Sequence, residues 1–474
     1  MMEQKEHCRL ERDSIGTMEV PAEAYYGIQT LRAYGNFSIT GQKPHEALIR
    51  SIVEIKKAAA LTNLEAGELN GEKAGAIIKA CDEILEGKLQ DQFILDPIQG
   101  GAGTSFNMNA NEVIANRAIE LLGGKKGDYN IISPYDDVNC GQSTNDVYPS
   151  CGKIAVLRLL REAEEQLRRL ETALIGKAEE FGRVIKMGRT QMQDAVPIRL
   201  GQEFQAYAAF VRRDRERFRR AMDSMRSLNM GGTAIGTGLN ASREYYSRIV
   251  PMICRVTGEE LFQSSDTIDS TQNLDGYTVV SGIVKTCAVN LSKMCNDLRL
   301  LSSGPRAGFG EICLPPKQHG SSIMPGKVNP VIPEVVNQAA FRIAGNDVSI
   351  CMAVEAGQLE LNAFEPLIHC CLIESVQILG NAIGTLVDNC VPGITANEEH
   401  CRQEVEESIG IITAICPHVG YEAAARLAKE ALECNMPVRK LVLRDGLVGE
   451  KELNDILDPF AMTAPGIIGK KQEK

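Results

Sequence analysis

Residues 152–180 read GKIAVLRLLREAEEQLRRLETALIGKAEE, and this stretch decides the fold class. Ile154, Leu157, Leu160, Leu167, Leu170 and Leu174 recur mostly three or four positions apart, the spacing of one face of an α-helix. A run this long exceeds the mean helix of about 11–12 residues, and such helices pack side by side in bundles. Three further stretches share the texture: 200–228, with a dense charged run from Arg212 to Arg220, then 278–301, then 333–391, broken only near Gly357 and Pro366. Pro333 stands near a helix start, where its missing N–H is tolerated. Shorter helical patches at 47–65 and 71–86 precede these, separated by loops rich in Gly, Asn, Pro and Tyr, and short helices follow from about 392. The expectation is an all-α chain of three regions, an N-terminal 1–142, a long central helical bundle 143–391 and a small helical 392–474.

Composition supports helices over sheets. The 474 residues are 44% hydrophobic, which excludes disorder. With no Trp, 12 Phe and 11 Tyr, the core is expected to draw on Leu, Ile, Val, Ala and Met and to lack the aromatic residues that strands favour, which points toward helices. Lys and Arg number 51 against 62 Asp and Glu, a net charge of −11, so neither nucleic acid nor an anionic membrane is an expected partner. An anionic substrate would then need cations concentrated in its site. The opening MMEQKEHCRL is too polar for a secretory signal, and no apolar run approaches the roughly 20 residues of a membrane span. The 15 Cys are scattered without a C-x-x-C pair and the six His are dispersed, so neither a disulfide framework nor a metal site is expected. The expected compartment is the cytoplasm.

Four segments between the long helices mix Gly with hydroxyl and amide side chains, the last two with a rare cation: 99–111 (QGGAGTSFNMNAN), 136–150 (DDVNCGQSTNDVYPS), 186–197 (KMGRTQMQDAVP) and 320–330 (GSSIMPGKVNP). A P-loop requires G-x-x-x-x-G-K-[ST]; here five residues separate Gly320 from Gly326, and Val328 follows Lys327. The glycines of 231–238 lack G-x-G-x-x-G spacing and any βαβ context. Nucleotide binding is therefore not expected. What remains is a set of neutral donors (Thr104, Ser105, Asn107, Ser143, Thr144, Asn145, Thr190, Gln191, Ser321, Ser322 and Asn329) with Lys327 supplying charge. Such a set suits small carboxylates and stabilises charge that develops on one of them. Each segment also has a plainer reading: Ser143 to Asp146 as a helix N-cap with Pro149 near the first turn, 320–330 as a Gly/Pro loop, and Arg189-Thr190 as an ordinary loop.

Taken together, the four segments resemble the aspartase/fumarase superfamily over nearly the whole chain. The signature G-S-S-x-M-P-x-K-x-N-P is met in full from Gly320 to Pro330, and Gly103-Thr104-Ser105, Gln142-Ser143-Thr144-Asn145-Asp146 and Gly188-Arg189-Thr190-Gln191 stand in family order. The Ser-Thr-Asn-Asp form at 143–146, VIPEVVNQ at 331–338, GQLELN at 357–362, Glu365-Pro366, YGIQT at 26–30 and DPFAMTAPG at 458–466 resemble its aspartase branch more than its hydratases. Two positions depart from the family pattern. Gln191 stands where many members have His, and Gln cannot shuttle a proton; SPYDD at 133–137 replaces the usual His-Pro-Asn-Asp, which puts the secondary anion site of fumarases in doubt.

The resemblance implies reversible anti-elimination of ammonia from L-aspartate to give fumarate, through a stabilised aci-carboxylate carbanion. It assigns Ser321 as general base on a mobile loop, Thr104, Ser143 and Thr144 to the β-carboxylate, and Lys327 and Asn329 to the α-carboxylate. Asn145, Thr190 and Gln191 would orient the amino group or a carboxylate, and Ser322 joins the substrate-binding set. It further implies a homotetramer with a multi-helix core and active sites assembled from three subunits. No cofactor is required; divalent-cation activation is known in some members, with no site assignable here. The alternatives are a fumarate hydratase-like lyase on the same fold and a non-catalytic structural relative of the crystallin kind.

Overall fold

The computed structural model describes residues 8–468, and its elements follow the apolar spacing. An antiparallel pair, β1 (Cys8–Arg12) and β2 (Thr17–Pro21), leads into α1 (Ile28–Asn36), α2 (Glu46–Ala66), α3 (Gly71–Leu85) and α4 (Thr104–Leu121). The 152–180 pattern lies inside one helix of 37 residues, α5 (Thr144–Glu180). A hairpin of β3 (Ile185–Thr190) and β4 (Gln193–Arg199) follows, then α6 (Leu200–Ser224), α7 (Arg243–Thr257), α8 (Asp269–Gln272) and α9 (Asp275–Leu301). Next come α10 (Val331–Glu355) and α11 (Glu365–Asn389), and after them the short α12 (Glu398–Glu407), α13 (Ile412–Val419), α14 (Tyr421–Cys434), α15 (Val438–Arg444) and α16 (Glu450–Ile456). The described sheets are all two-stranded. The chain is all-α in class, as its composition requires.

The chain forms two compact units. The first holds the residues up to Glu164 with Glu216–Ala288 and Phe341–Gly380; the second holds Glu165–Arg215, Val289–Ala340 and the residues from Asn381 on. In the first, α2 is the central helix: Ile52, Val53, Ile55, Ala58 and Ala59 have no exposed surface. Its neighbour α3 is capped by Asn70, whose side chain accepts from the Lys73 N–H at 2.9 Å. In the second unit, Ile185 and Met187 of β3 join Val405, Ile415, Leu427, Leu441, Leu453 and Ile456 of the C-terminal helices in one buried cluster.

Three details differ from the expectation or refine it. The 186–197 segment is not a loop: it forms most of the β3–β4 hairpin, with a bulge between Met187 and Arg189. Gly188 sits in that bulge because a Cβ there would lie 2.6 Å from the Val196 carbonyl oxygen. Pro149 lies inside α5 and leaves the Asn145 carbonyl without its helical donor; the Asn229 side chain supplies one at 2.9 Å. Finally, α11 is long and apolar enough by composition to cross a membrane, but half of its apolar window is buried within the fold, and it begins with the buried Glu365 and His369.

Candidate active site

Four of the expected site residues belong to the first unit and gather at the starts of two helices. Ahead of α4, Gly101, Ala102 and Gly103 take φ values of 88°, 54° and 85°, a left-handed run that glycine tolerates and alanine resists. Gly103 has a second constraint, since a Cβ would lie 2.4 Å from the Tyr148 ring. This tight turn ends at Thr104, which opens α4 with its side chain exposed. At the start of α5 the cap is reciprocal: the Ser143 hydroxyl accepts from the Asn145 N–H (3.2 Å), and the Asp146 carboxylate accepts from the Ser143 N–H (2.9 Å). The N-cap reading and the site reading of Ser143 therefore coexist.

The two helix starts are tied together. Asn107, one turn into α4, donates from Nδ2 to Thr144 Oγ1 at 3.1 Å and to Asn139 Oδ1 at 3.3 Å. Behind them Lys56 of α2, fully buried, donates to Asn139 Oδ1 and Gln142 Oε1, both at 2.9 Å. Burial pulls its ammonium down to about 7, against the pull of Asp146, Cys151 and Cys81. Asp146 accepts further N–H bonds from Gly231 (2.9 Å) and Thr233 (3.2 Å), and burial raises its carboxyl to about 6. Asn145 donates to the Ala234 carbonyl at 2.7 Å, which leaves its Oδ1 free to accept. The glycine-rich 231–234 stretch, unsuited to nucleotides, thus serves as the clamp on the 143–146 turn.

The other six belong to the second unit. Thr190 ends β3, and Gln191 and Met192 form the two-residue turn with φ of 53° and 64°. Such a turn matches the twist of a hairpin but favours Asn and Gly over Gln and Met. The strand below it is fixed by charge. Glu311, without exposed surface, takes Arg189 Nη1 at 2.6 Å and Lys186 Nζ at 2.9 Å, while Arg189 lies 4.3 Å over the Phe309 ring. Burial alone would lower the Lys186 ammonium, but the Glu203 and Glu311 charges outweigh it and raise it.

The signature loop closes on itself at its base. Gly320 N–H donates to the Lys327 carbonyl at 3.0 Å, and Asn329 Nδ2 donates back to the Gly320 carbonyl at 2.5 Å. A Cβ on Gly320 would lie 2.2 Å from the Lys327 oxygen, so only glycine fits. The Ser321 hydroxyl accepts from the Ile323 N–H at 3.2 Å. Ser322 and Lys327 are exposed, and so is Ile323 at 83%. A cavity of about 830 Å³ beside the loop base is lined by Arg299, Ser303, Lys327, Asn329 and Asn397.

Sequence reasoning passed over Lys56, Asn139 and Glu311. For Lys56 a signal existed: Ile49, Ile52, Val53, Lys56 and Ala60 share one helix face, so the lysine stands on the apolar side. Glu311 carries none, because its partners are distant in sequence. The divergent 133–137 turn spends its groups internally. Asp137 takes Lys73 Nζ at 2.7 Å and the Ser133 N–H at 2.7 Å, and Asp136 takes the Ser133 hydroxyl at 2.9 Å.

Comparison with known proteins adds kinship to this geometry. Residues 16–345 match the model of a family described as lyase, and residues 411–464 match that of the fumarase C C-terminus. An aspartate ammonia-lyase from Bacillus sp is 54% identical, over 98% of this chain and 99% of that protein. Among solved structures, a fumarate lyase:delta crystallin from Brucella melitensis, bound to cobalt, superposes with a TM-score of 0.94 at 49% identity, covering 97% of this chain and all of that one. A recombinant class II fumarase from Schistosoma mansoni gives 0.92 at 33% identity, covering 96% of this chain and 99% of the other.

Proposed function

The chain belongs to the aspartase/fumarase superfamily of lyases, and from that premise we propose that it catalyses the reversible elimination of ammonia from L-aspartate to give fumarate. The observation that carries the reading to a carboxylate substrate is the paired helix start. Exposed Thr104, capped Ser143 and Thr144 offer neutral hydroxyl donors with a buried lysine behind them. That array fits a β-carboxylate whose charge grows as the Cβ proton leaves. Ser321 is the base that takes this proton. A serine hydroxyl is a weak base, and the N–H that it accepts from Ile323 stabilises the anionic form it needs.

Lys327 and Asn329 bind the α-carboxylate, with Ser322 beside them. Asn145, Thr190 and Gln191 face the leaving amino group. The Asn145 amide supports this assignment, because its nitrogen is committed to Ala234 and its free oxygen suits an ammonium donor. As the Cβ–H bond breaks, its electrons form the C=C bond and the C–N bond releases ammonia. No step of this proposal needs an organic cofactor or a metal; a divalent cation would act only as an activator.

The reading extends to a cytoplasmic homotetramer whose sites draw on three subunits. One face of α10 supports it, since Phe341, Val348 and Met352 are 68%, 58% and 68% exposed at helical spacing, an apolar stripe of the kind subunit contact covers. The fifteen cysteines support the compartment, as all are free thiols.

The test is to incubate the purified chain with aspartate and follow fumarate appearance, alongside Ser321→Ala. Turnover by the unmodified chain and loss of it in the variant, at unchanged fold, are expected. Consumption of fumarate in water without ammonium would replace this reading by a hydratase, and no turnover in either direction would leave a structural relative.

A further inference from the structure

Lys56 is the one fully buried lysine side chain of α2. Taking an ammonium out of water is expensive unless it is paired, yet its hydrogen-bond partners, Asn139 Oδ1 and Gln142 Oε1, are neutral amides. Asn139 Oδ1 is a junction, accepting also from Asn107 Nδ2 (3.3 Å) and Asn111 Nδ2 (3.2 Å). The Asn107 amide continues to Thr144 Oγ1. A hydroxyl whose lone pair is taken by an N–H still has its own hydrogen to give, so this chain directs the Thr144 hydrogen away from Asn107.

We infer that Lys56 is a positioning residue for the carboxylate pocket. Through Asn139 and Asn107 it turns the Thr144 hydroxyl toward substrate, and it holds a positive charge behind the carboxylate that becomes more negative in the reaction. The inference rests on the proposed function, and specifically on Thr144 as a carboxylate donor. An arriving dicarboxylate adds to the pull of Asp146 on the ammonium and favours its charged form. Because the carboxylate charge grows from substrate to transition state, the benefit falls on kcat more than on binding. A lysine that merely filled space or pinned the 139–142 turn would give no such split.

Lys56→Met keeps an unbranched chain one atom shorter and removes the charge. We expect kcat for aspartate deamination to fall on the order of 10²-fold, with KM and inhibition by succinate, an unreactive dicarboxylate, changing far less. Asn139→Leu, which cuts the link to Asn107, gives the same pattern, and the double variant is no worse than the poorer single one, as expected for residues acting in series. Full kcat in either variant, or a loss of succinate binding equal to the loss of turnover, overturns the inference. Should Lys56→Met fail to assemble, Asn139→Leu carries the test alone. Deamination by the unmodified chain and its loss in Thr144→Val test the underlying reading separately; if both hold and the Lys56 and Asn139 variants are unaffected, only this inference fails.

Discussion

An exchange of size between Gly152 on α5 and His369 on α11 tests the packing of the first unit. A Cβ at Gly152 would lie 2.1 Å from His369 Nε2, 2.2 Å from Cε1 and 2.6 Å from Cδ2. The ring has little room to retreat: His369 is 1% exposed, its ring centroid is 4.7 Å from that of Tyr148, and Nε2 meets the Tyr277 hydroxyl at 3.0 Å. In a helix interior Gly→Ala ordinarily gains about 1 kcal/mol. Here overpacking costs about 1–3 kcal/mol and loss of the Tyr277 bond about 0.5–1.5 kcal/mol. Gly152→Ala is therefore expected to destabilise by about 0.5–3.5 kcal/mol. With His369→Ala in place the clash is gone and the helix term alone remains, so the same substitution now stabilises by about 1 kcal/mol. The sign reverses. The chain lacks Trp, so unfolding is best followed by far-ultraviolet circular dichroism, at one protein concentration because assembly shifts apparent stability. A Gly152→Ala effect of the same sign in both backgrounds would refute the reasoning.

Two smaller perturbations follow from backbone and charge. Met192, 56% exposed and at φ 64° in the β3–β4 turn, gains from replacement by glycine. Met192→Gly should stabilise by about 0.5–1 kcal/mol, and a lower thermal midpoint would contradict the strained-turn reading. Burial depresses the His369 imidazole to about 3, with Lys153 adding to the effect. The unfolded chain therefore binds a proton near 6.5 that the folded one refuses, so this contribution to stability is complete above 6.5 and is lost as pH falls toward 3. Between pH 7 and 5 the stability advantage of the unmodified chain over His369→Ala should shrink by about 2 kcal/mol; a constant difference across that range would show that the ring does not titrate as described.

Much of the fold could be read from spacing because the long helices bury one face each. The pattern in 152–180 became part of α5, 278–301 nearly all of α9, the break at Gly357 falls between α10 and α11, and Pro366 stands in the first turn of α11. The hairpin was missed for a physical reason. Its first strand is buried at three successive residues, Ile185, Lys186 and Met187, so the alternation that marks a strand is absent. One of those three is a lysine made tolerable only by Glu203 and Glu311. The donors at 104, 143–145, 190–191 and 320–329 were visible as motifs, because backbone geometry demands unusual residues there: Gly103 against Tyr148, Gly320 against Lys327. The groups that hold the donors were not visible, since Lys56 and Glu311 act through partners far away in sequence.

That division between visible donors and hidden supports bears on the charge of −11. Counted over the whole chain, it opposes a dicarboxylate substrate. Exposed charges, however, are screened beyond a Debye length of about 8 Å at physiological ionic strength, whereas buried ones are screened much less. A single ammonium without exposed surface, such as Lys56, therefore weighs more at a neighbouring carboxylate than many exposed glutamates. Its hydrogen-bond partners are neutral amides, and the buried Asp146 carboxylate, which pulls on it without a direct bond, offsets only part of its field. Location decides the sign of the local field, and an acidic protein can hold an anion wherever it has buried a lysine among amides.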